Sequence, residues 1–329
     1  MPTRSSSQSS NDIVALGELL IDFTEYGISE AGNRLFEQNP GGAPANMLTA
    51  ATKLGSKTAF IGKVGSDMHG EFLRKTLADA GIDTSNLILD PEVFTTLAFV
   101  ALSDMGEREF SFARKPGADT RLKPEDIDYD LIERSRVFHF GSLSLTDHPA
   151  IEATMSAVEF ARDSSLVVTY DPNYRPSLWE SQAKAEVMMK MPLEYVDILK
   201  VADNEFELIT GETDYVTGLK LLEMKGIGCV VVTLGADGAL VSVKGQQEKI
   251  AVPDVSVVDT TGAGDAFFGS FINRFLNSGL SVDGMTLDSA IEFARYANSA
   301  ASICITRRGA IPAMPTLAEV EAFKAKHYG

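Results

Sequence analysis

Residues 257–271 read VVDTTGAGDAFFGSF, and two features of that run limit what the fold can be. Gly262, Ala263 and Gly264 carry almost no side chain, so their backbone N–H groups can approach a ligand closely. The residues after them, DAFFGSFINRFL, have helical apolar spacing. The bare loop therefore sits at a helix N-terminus, where orphan N–H groups and the helix dipole favour an anion. Asp265 falls in the first turn, beside the same point. A carboxylate there can take a proton from a hydroxyl while the N–H groups stabilise charge on a transferred phosphoryl group. The run matches neither G-x-x-x-x-G-K-[ST] nor G-x-G-x-x-G, so a phosphate site of another type is implied.

Outward from this loop, the chain alternates short β-rich runs with longer helical patterns. IVALGELLIDF, TAFIGKVG, RVFHFGSL, LVVTYDPN, VDILKVA and CVVVTLG read as strands, several almost continuously apolar, as strands covered on both faces are. DMHGEFLRKTLADAG, HPAIEATMSAVEFARDSS and TLDSAIEFARYANSAASICIT read as helices, the first with an Asp cap and a terminal glycine. Such alternation predicts an α/β fold with a mostly parallel sheet between helical layers. Two stretches break the rhythm. FTEYGISEAGNRLFEQNPGG and TTLAFVALSDMGEREFSFAR read as hairpins, turning near Gly27, Gly32 and Met105-Gly106, and together predict a small β-lid from insertions at about 22–40 and 94–114. Residues 12–329 are expected to form one domain, preceded by a disordered, serine-rich tail at 1–11.

With 329 residues, 44% of them hydrophobic and 23% charged, the chain has the composition of a globular protein with a large core. Its net charge of -17 argues against a nucleic-acid surface, which needs clustered Lys and Arg. The two cysteines, Cys229 and Cys304, lie in apolar runs and suggest neither a disulfide framework nor a thiolate metal site. The four histidines are isolated, without metal-ligand spacing. No apolar run is long enough for a membrane span, and MPTRSSSQSS lacks a hydrophobic signal segment, so a cytoplasmic location is expected.

Near the N-terminus, PGGAPANM sets Gly41 and Gly42 before Asn46 at a helix start, so backbone and amide can approach hydroxyl groups. Asp22 ends an apolar strand, the usual position of ligands in α/β folds. Arg114 and Arg175 also follow strands that should end at the cleft, and Asn204 and Glu207 stand one helical turn apart after another. VVTLGADGAL predicts a hairpin through Gly235 and Gly238.

NPGGAPANMLTAATKLG and DTTGAGDAFFGSF together resemble the paired signatures of the ribokinase-like sugar kinases, the PfkB carbohydrate kinases, from about Ile13 to the end. The resemblance implies a ribokinase-like three-layer sandwich with a mostly parallel central sheet and a small β-lid. It also implies Asp265 as catalytic base, with Gly262, Ala263 and Gly264 as anion hole, and a sugar held by Asp22, Gly41, Gly42 and Asn46. D-P-N-x-R-x-x-L-W, carrying Arg175, resembles fructokinases and 2-keto-3-deoxygluconate kinases, in which arginines such as Arg114 and Arg175 approach the sugar or its carboxylate. DFTEYGISEAGNRLFEQNPGGAPAN and FSFARKPGADTRL look most like fructokinases, and GGAPAN lacks the lysine usual in ribokinases.

The same resemblance puts Asn204 and Glu207 near the phosphates and hydrated Mg2+, and Thr233, Gly235 and Gly238 in the ATP cleft with Asn298 beside the adenine. Asp259, Thr261, Cys304, Arg307, Gly309 and Ala313 correspond to a K+ site used by many relatives. The expected activity is ATP-dependent phosphorylation of a sugar, most like fructose. The alternatives are a 2-keto-3-deoxygluconate kinase, a nucleoside kinase, for which the arginine pair has no evident use, and a sugar-binding regulator without catalysis. The lid's apolar residues, among them Phe36, Phe99 and Phe110, could pair across a homodimer or simply cap the sugar.

Overall fold

The computed structural model describes residues 11–102 and 108–329, apart from the side chains at 101, 102 and 108–110. The serine-rich segment 1–10, the Met105-Gly106 turn and the Phe110 side chain lie outside that description. The chain begins with β1 (Ile13–Leu16), β2 (Leu20–Ile28) and β3 (Arg34–Gly41), then α1 (Ala43–Lys53), β4 (Thr58–Gly65), α2 (Met68–Asp79) and β5 (Asp83–Asp90). β6 (Leu97–Leu102) and β7 (Arg108–Ala113) precede α3 (Tyr129–Glu133), β8 (Val137–Gly141), α4 (Ala150–Asp163), β9 (Val167–Asp171) and α5 (Gln182–Lys190). Then come β10 (Ile198–Ala202), α6 (Asp203–Thr210), α7 (Tyr215–Met224), β11 (Cys229–Thr233), β12 (Ala239–Val243) and β13 (Gln246–Ile250). The chain closes with α8 (Ala263–Ser278), α9 (Leu287–Cys304) and α10 (Leu317–Tyr328).

Nine strands form the central sheet in the order β13-β12-β11-β10-β9-β8-β1-β4-β5. The run from β11 to β5 is parallel; β12 turns back antiparallel on β11 through the expected Gly235–Gly238 hairpin, and β13 pairs antiparallel with β12. Alternation sends successive residues to opposite layers. Ile13 and Ala15 pack with α1, α2, α8 and α9, while Val14 and Leu16 pack with α3, α4, α5, α6 and α7. This explains the uninterrupted apolar strands: β1, β4 and β8 are buried at every position.

The second sheet has the order β3-β2-β6-β7, and the parallel pairing of β2 with β6 joins the two hairpins into one small β-lid. One expectation needs correction. IVALGELLIDF is not a single strand, because β1 belongs to the central sheet and β2 to the lid. At the crossing, Gly17 leaves room for Pro44, whose side chain would lie 2.6 Å from a Cβ there. Glu18 turns its carboxylate to the Ala43 N–H at the head of α1, 2.8 Å away. β5 and the helices α5, α7 and α10, which the sequence patterns did not single out, complete the layers.

Candidate active site

The parallel strands end along one edge, and the loops and helix starts beyond them border a cavity of ≈ 360 Å³ beneath the lid. Its lining includes Asp22, Gly42, Asn46, Arg175, Gly262, Ala263, Gly264 and Asp265. Gly41 stands immediately behind Asp22: a Cβ there would sit 2.2 Å from Asp22 Oδ2. Gly42 has φ 118° and no space for a side chain, since a Cβ would lie 2.3 Å from the Glu18 carbonyl oxygen. Only glycine fits a backbone so turned and so crowded. It delivers the chain into α1, which packs against α8. There a Cβ on Gly269 would meet the Met47 carbonyl oxygen at 2.3 Å, so the two helices approach closely. That approach brings Asn46 Nδ2 to Asp265 Oδ2 at 2.8 Å.

A second cavity, of ≈ 550 Å³, lies on the other side of the glycine loop and is lined by Thr233, Gly235, Gly238 and Asn298, with Val252, Val257 and Phe267. Thr260, Ala263 and Gly264 line both cavities. The head of α8 is therefore the wall the two spaces share, with Asp265 in its first turn. Gly262 is the residue before α8 and adopts φ 76°.

The electrostatics of this junction follow from burial. Asp265 is pushed up to about 6 by desolvation, with the Asp171 charge adding and the Asn46 amide, Lys200 and Arg175 pulling back. Burial likewise raises Asp22 to about 6, with Arg175 opposing and Asp265 adding. A carboxylate near 6 is mostly ionised at neutral pH yet remains a competent base.

Two of the expected groups stand elsewhere. The Arg114 guanidinium does not line the cavity. It is held by Asp119 (Nε–Oδ2 2.8 Å), the Thr146 hydroxyl (2.8 Å) and the Leu143 carbonyl (2.8 Å). Those bonds engage its donor fork, so it braces the cavity floor at Leu143 and does not face the cavity space. Asn204 and Glu207 are exposed on α6 and line neither cavity. The buried carboxylate of that helix is Glu205, which accepts from Tyr174 N (2.6 Å) and Ala202 N (2.8 Å).

Of the residues matched to a cation loop, four lie close together. Asp259 accepts from Thr261 N–H (3.0 Å), the Thr261 hydroxyl (2.7 Å) and Gly309 N–H (3.0 Å), and Cys304 Sγ lies 3.9 Å from the Thr261 carbonyl. Ala313 follows one turn after Ala310, which lines the first cavity, whereas the Arg307 guanidinium turns away to Glu319. Among the described residues no cluster of three or more His, Cys, Asp or Glu side chains could hold a metal ion.

Sequence patterns alone passed over two buried cavity-lining charges, Glu18 and Lys200, and the buried Asp171 that pairs with the lysine. A buried charge inside an apolar strand such as VDILKVA is the signal that could have found Lys200.

A family model for pfkB family carbohydrate kinases matches residues 10–317. Fructokinase-1 of Oryza sativa subsp. japonica is 40% identical over 319 residues, covering 95% of this chain and 96% of the rice protein. The crystal structure of the Xylella fastidiosa fructokinase with bound ATP superposes with a TM-score of 0.90 at 30% identity, covering 97% of this chain and 99% of the other. A double mutant of the Vibrio cholerae O395 fructokinase, bound to fructose, ADP and a potassium ion, gives 0.84 at 31% identity and coverage of 96% and 99%.

Proposed function

The chain belongs to the pfkB family of carbohydrate kinases, and from that premise we propose that it is a fructokinase. It would transfer the γ-phosphoryl group of ATP to D-fructose and release ADP and fructose 6-phosphate. The observation that carries this reading is Asp265 in the first turn of α8, the wall shared by the two cavities. In it, the sugar occupies the cavity under the lid and the nucleotide occupies the cavity of Thr233, Gly235, Gly238 and Asn298. Fructose is favoured as acceptor by the rice relative and by the two bacterial structures, all fructokinases.

Asp22 and Asn46 orient the sugar. The buried Asn46 Oδ1 atom has no hydrogen-bond partner among the described residues and suits a donating hydroxyl. Asp265 accepts the proton of the terminal hydroxyl as that oxygen attacks phosphorus in line. The N–H groups at Gly262, Ala263 and Gly264 face the charge that grows on the equatorial oxygens. The lid over the sugar keeps water, a competing acceptor, away from the phosphoryl group. The acidic start of α6, which bears Asn204, Glu205 and Glu207, would meet the water shell of a nucleotide-bound Mg2+, which would supply charge neutralisation at the phosphates. A potassium ion would take carbonyl oxygens of the loop that joins Asp259, Thr261, Cys304 and Gly309.

One observation favours a second acceptor. Arg175 lines the sugar cavity and could fork onto a carboxylate, as a 2-keto-3-deoxygluconate kinase would require. A coupled assay of ADP release with fructose, ketodeoxygluconate, ribose and glucose separates the two, fructose being expected to give the highest kcat/KM. Asp265→Asn should keep sugar binding and lose turnover by about a thousandfold or more. Near-normal turnover in that variant would overturn the assignment.

A further inference from the structure

Lys200 lies on β10 in a core strand, and the parallel register that sets Leu199 opposite Tyr170 brings it beside Asp171. The Nζ atom is 2.9 and 3.2 Å from the two oxygens of Asp171. An ammonium has three N–H donors, and this one carboxylate takes up both of these contacts. The residue is only 5% exposed, yet it lines the sugar cavity. A Cβ on Gly264 would lie 2.9 Å from Nζ, so the ammonium is pressed against the first turn of α8 where the two cavities meet. Burying an ion pair seldom stabilises a fold more than an apolar pair would, so stability does not account for a lysine here.

We propose that Lys200 is the fixed cation that meets the transferred phosphoryl group at the head of α8, and that Asp171 aims it. This deepens the kinase reading and rests on it. Desolvation alone would lower the Lys200 ammonium, but Asp171, Glu205 and Asp265 outweigh it and hold the group above the ordinary lysine range, so it stays charged. In the transfer, a bond forms between the acceptor oxygen and the γ-phosphorus. The bond from that phosphorus to the β–γ bridging oxygen breaks, ADP leaves with the electron pair, and the hydroxyl proton passes to Asp265. Lys200 makes no covalent bond. It stabilises the negative charge on the phosphoryl oxygens beside the Gly264 N–H.

Removing the ammonium alone would strand Asp171, so the decisive variant is Lys200→Met combined with Asp171→Asn, or Lys200→Gln with Asp171→Asn if the first does not fold. Turnover is measured at pH 8, where Asp265 is ionised in either background, with the best acceptor of the panel. The expected result is a melting temperature and a calorimetric sugar affinity near wild type, with kcat lower by about 10²–10³-fold. Recovery of kcat to within threefold of wild type would show that Lys200 only neutralises Asp171, and would overturn the proposal. Asp265→Asn is run alongside. If that variant turns over normally, or the wild type phosphorylates no panel sugar, the kinase reading fails first; if it is inactive while the double variant is not, the lysine proposal alone fails.

Discussion

Asn46 donates its amide to the Asp265 carboxylate at 2.8 Å, linking residues 219 positions apart in a buried contact between α1 and α8. The bond favours the ionised carboxylate and opposes the burial that raises it to about 6. A base must be ionised to take a proton, so kcat/KM is predicted to be flat above neutrality and to fall about tenfold per pH unit below roughly pH 6. Asn46→Leu removes the bond, so the acid limb should move to higher pH and turnover at pH 7 should fall by about 10–100-fold, the size of a hydrogen bond to a charged group. A pH–rate profile of both proteins checks this. Loss of rate with an unmoved limb would mean that Asn46 only positions the sugar.

Arg114 gives the opposite kind of prediction. Its ion pair with Asp119 is buried, with side chains 3% and 2% exposed, and Asp119 also accepts from Thr96. Arg114→Met would leave that carboxylate short of its cation, and breaking a buried pair typically costs about 3–5 kcal/mol. Denaturant unfolding should register the loss, while kcat of the folded fraction stays within a few fold of wild type. A selective rise in sugar KM without loss of stability would instead return Arg114 to the sugar site.

These two residues show what could be read in the chain. The glycine loop, Asp265 and the G-G-x-x-A-N run were legible because each depends on local backbone chemistry: bare loops, a helix start, a carboxylate in its first turn. The continuous apolar strands gave the two-sided central sheet for the same reason. Arg114 lies outside the cavity lining because its partner Asp119 is chosen by a turn of chain, and nothing in FSFARKPGADTRL shows which way the guanidinium swings. On α6, N-E-F-E offers an acid at two positions, and only the point where β10 passes into α6 decides that Glu205 points inward and Glu207 outward. Lys200 with Asp171 is a matter of strand register, which no single strand contains. The break inside IVALGELLIDF was hidden because both halves are apolar, although each joins a different sheet.

Glu18 makes a stability prediction. Its Oε1 accepts from Ala43 N–H, its buried Oε2 has no partner among the described residues, and burial pushes the carboxyl up from 4.5 to about 7. A raised carboxyl binds more protons in the folded state than in the unfolded one, so its contribution is fully present below pH 4.5 and is lost as pH rises to about 7. Glu18→Gln keeps an oxygen for Ala43 and cannot ionise. The stability difference, variant minus wild type, should therefore grow in the variant's favour by about 3 kcal/mol between pH 4 and pH 8. Urea unfolding at several pH values measures it, and a difference independent of pH would show that Glu18 does not titrate in this range.

Gly262 and Gly264 separate conformation from contact within one loop. Gly262 has φ 76°, and a Cβ there would lie 2.7 Å from the Ala310 Cβ, an atom with no flexible arm to move aside. Gly262→Ala should therefore lose stability, by about 1–2 kcal/mol for the left-handed backbone and more for the collision. It should also lose activity, because relief of the clash displaces the N–H groups at the head of α8. At Gly264 the backbone is helical and the atom met at 2.9 Å is Lys200 Nζ, the end of a long side chain. Gly264→Ala is then expected to melt near the wild-type temperature, since alanine suits a helix better than glycine, while its methyl group pushes the ammonium away and kcat falls. Thermal melts and kcat for both variants give a two-by-two comparison. Equal stability losses would mean that the Lys200 end is as immovable as Ala310, and equal stability with equal activity would mean that neither glycine is required by the loop.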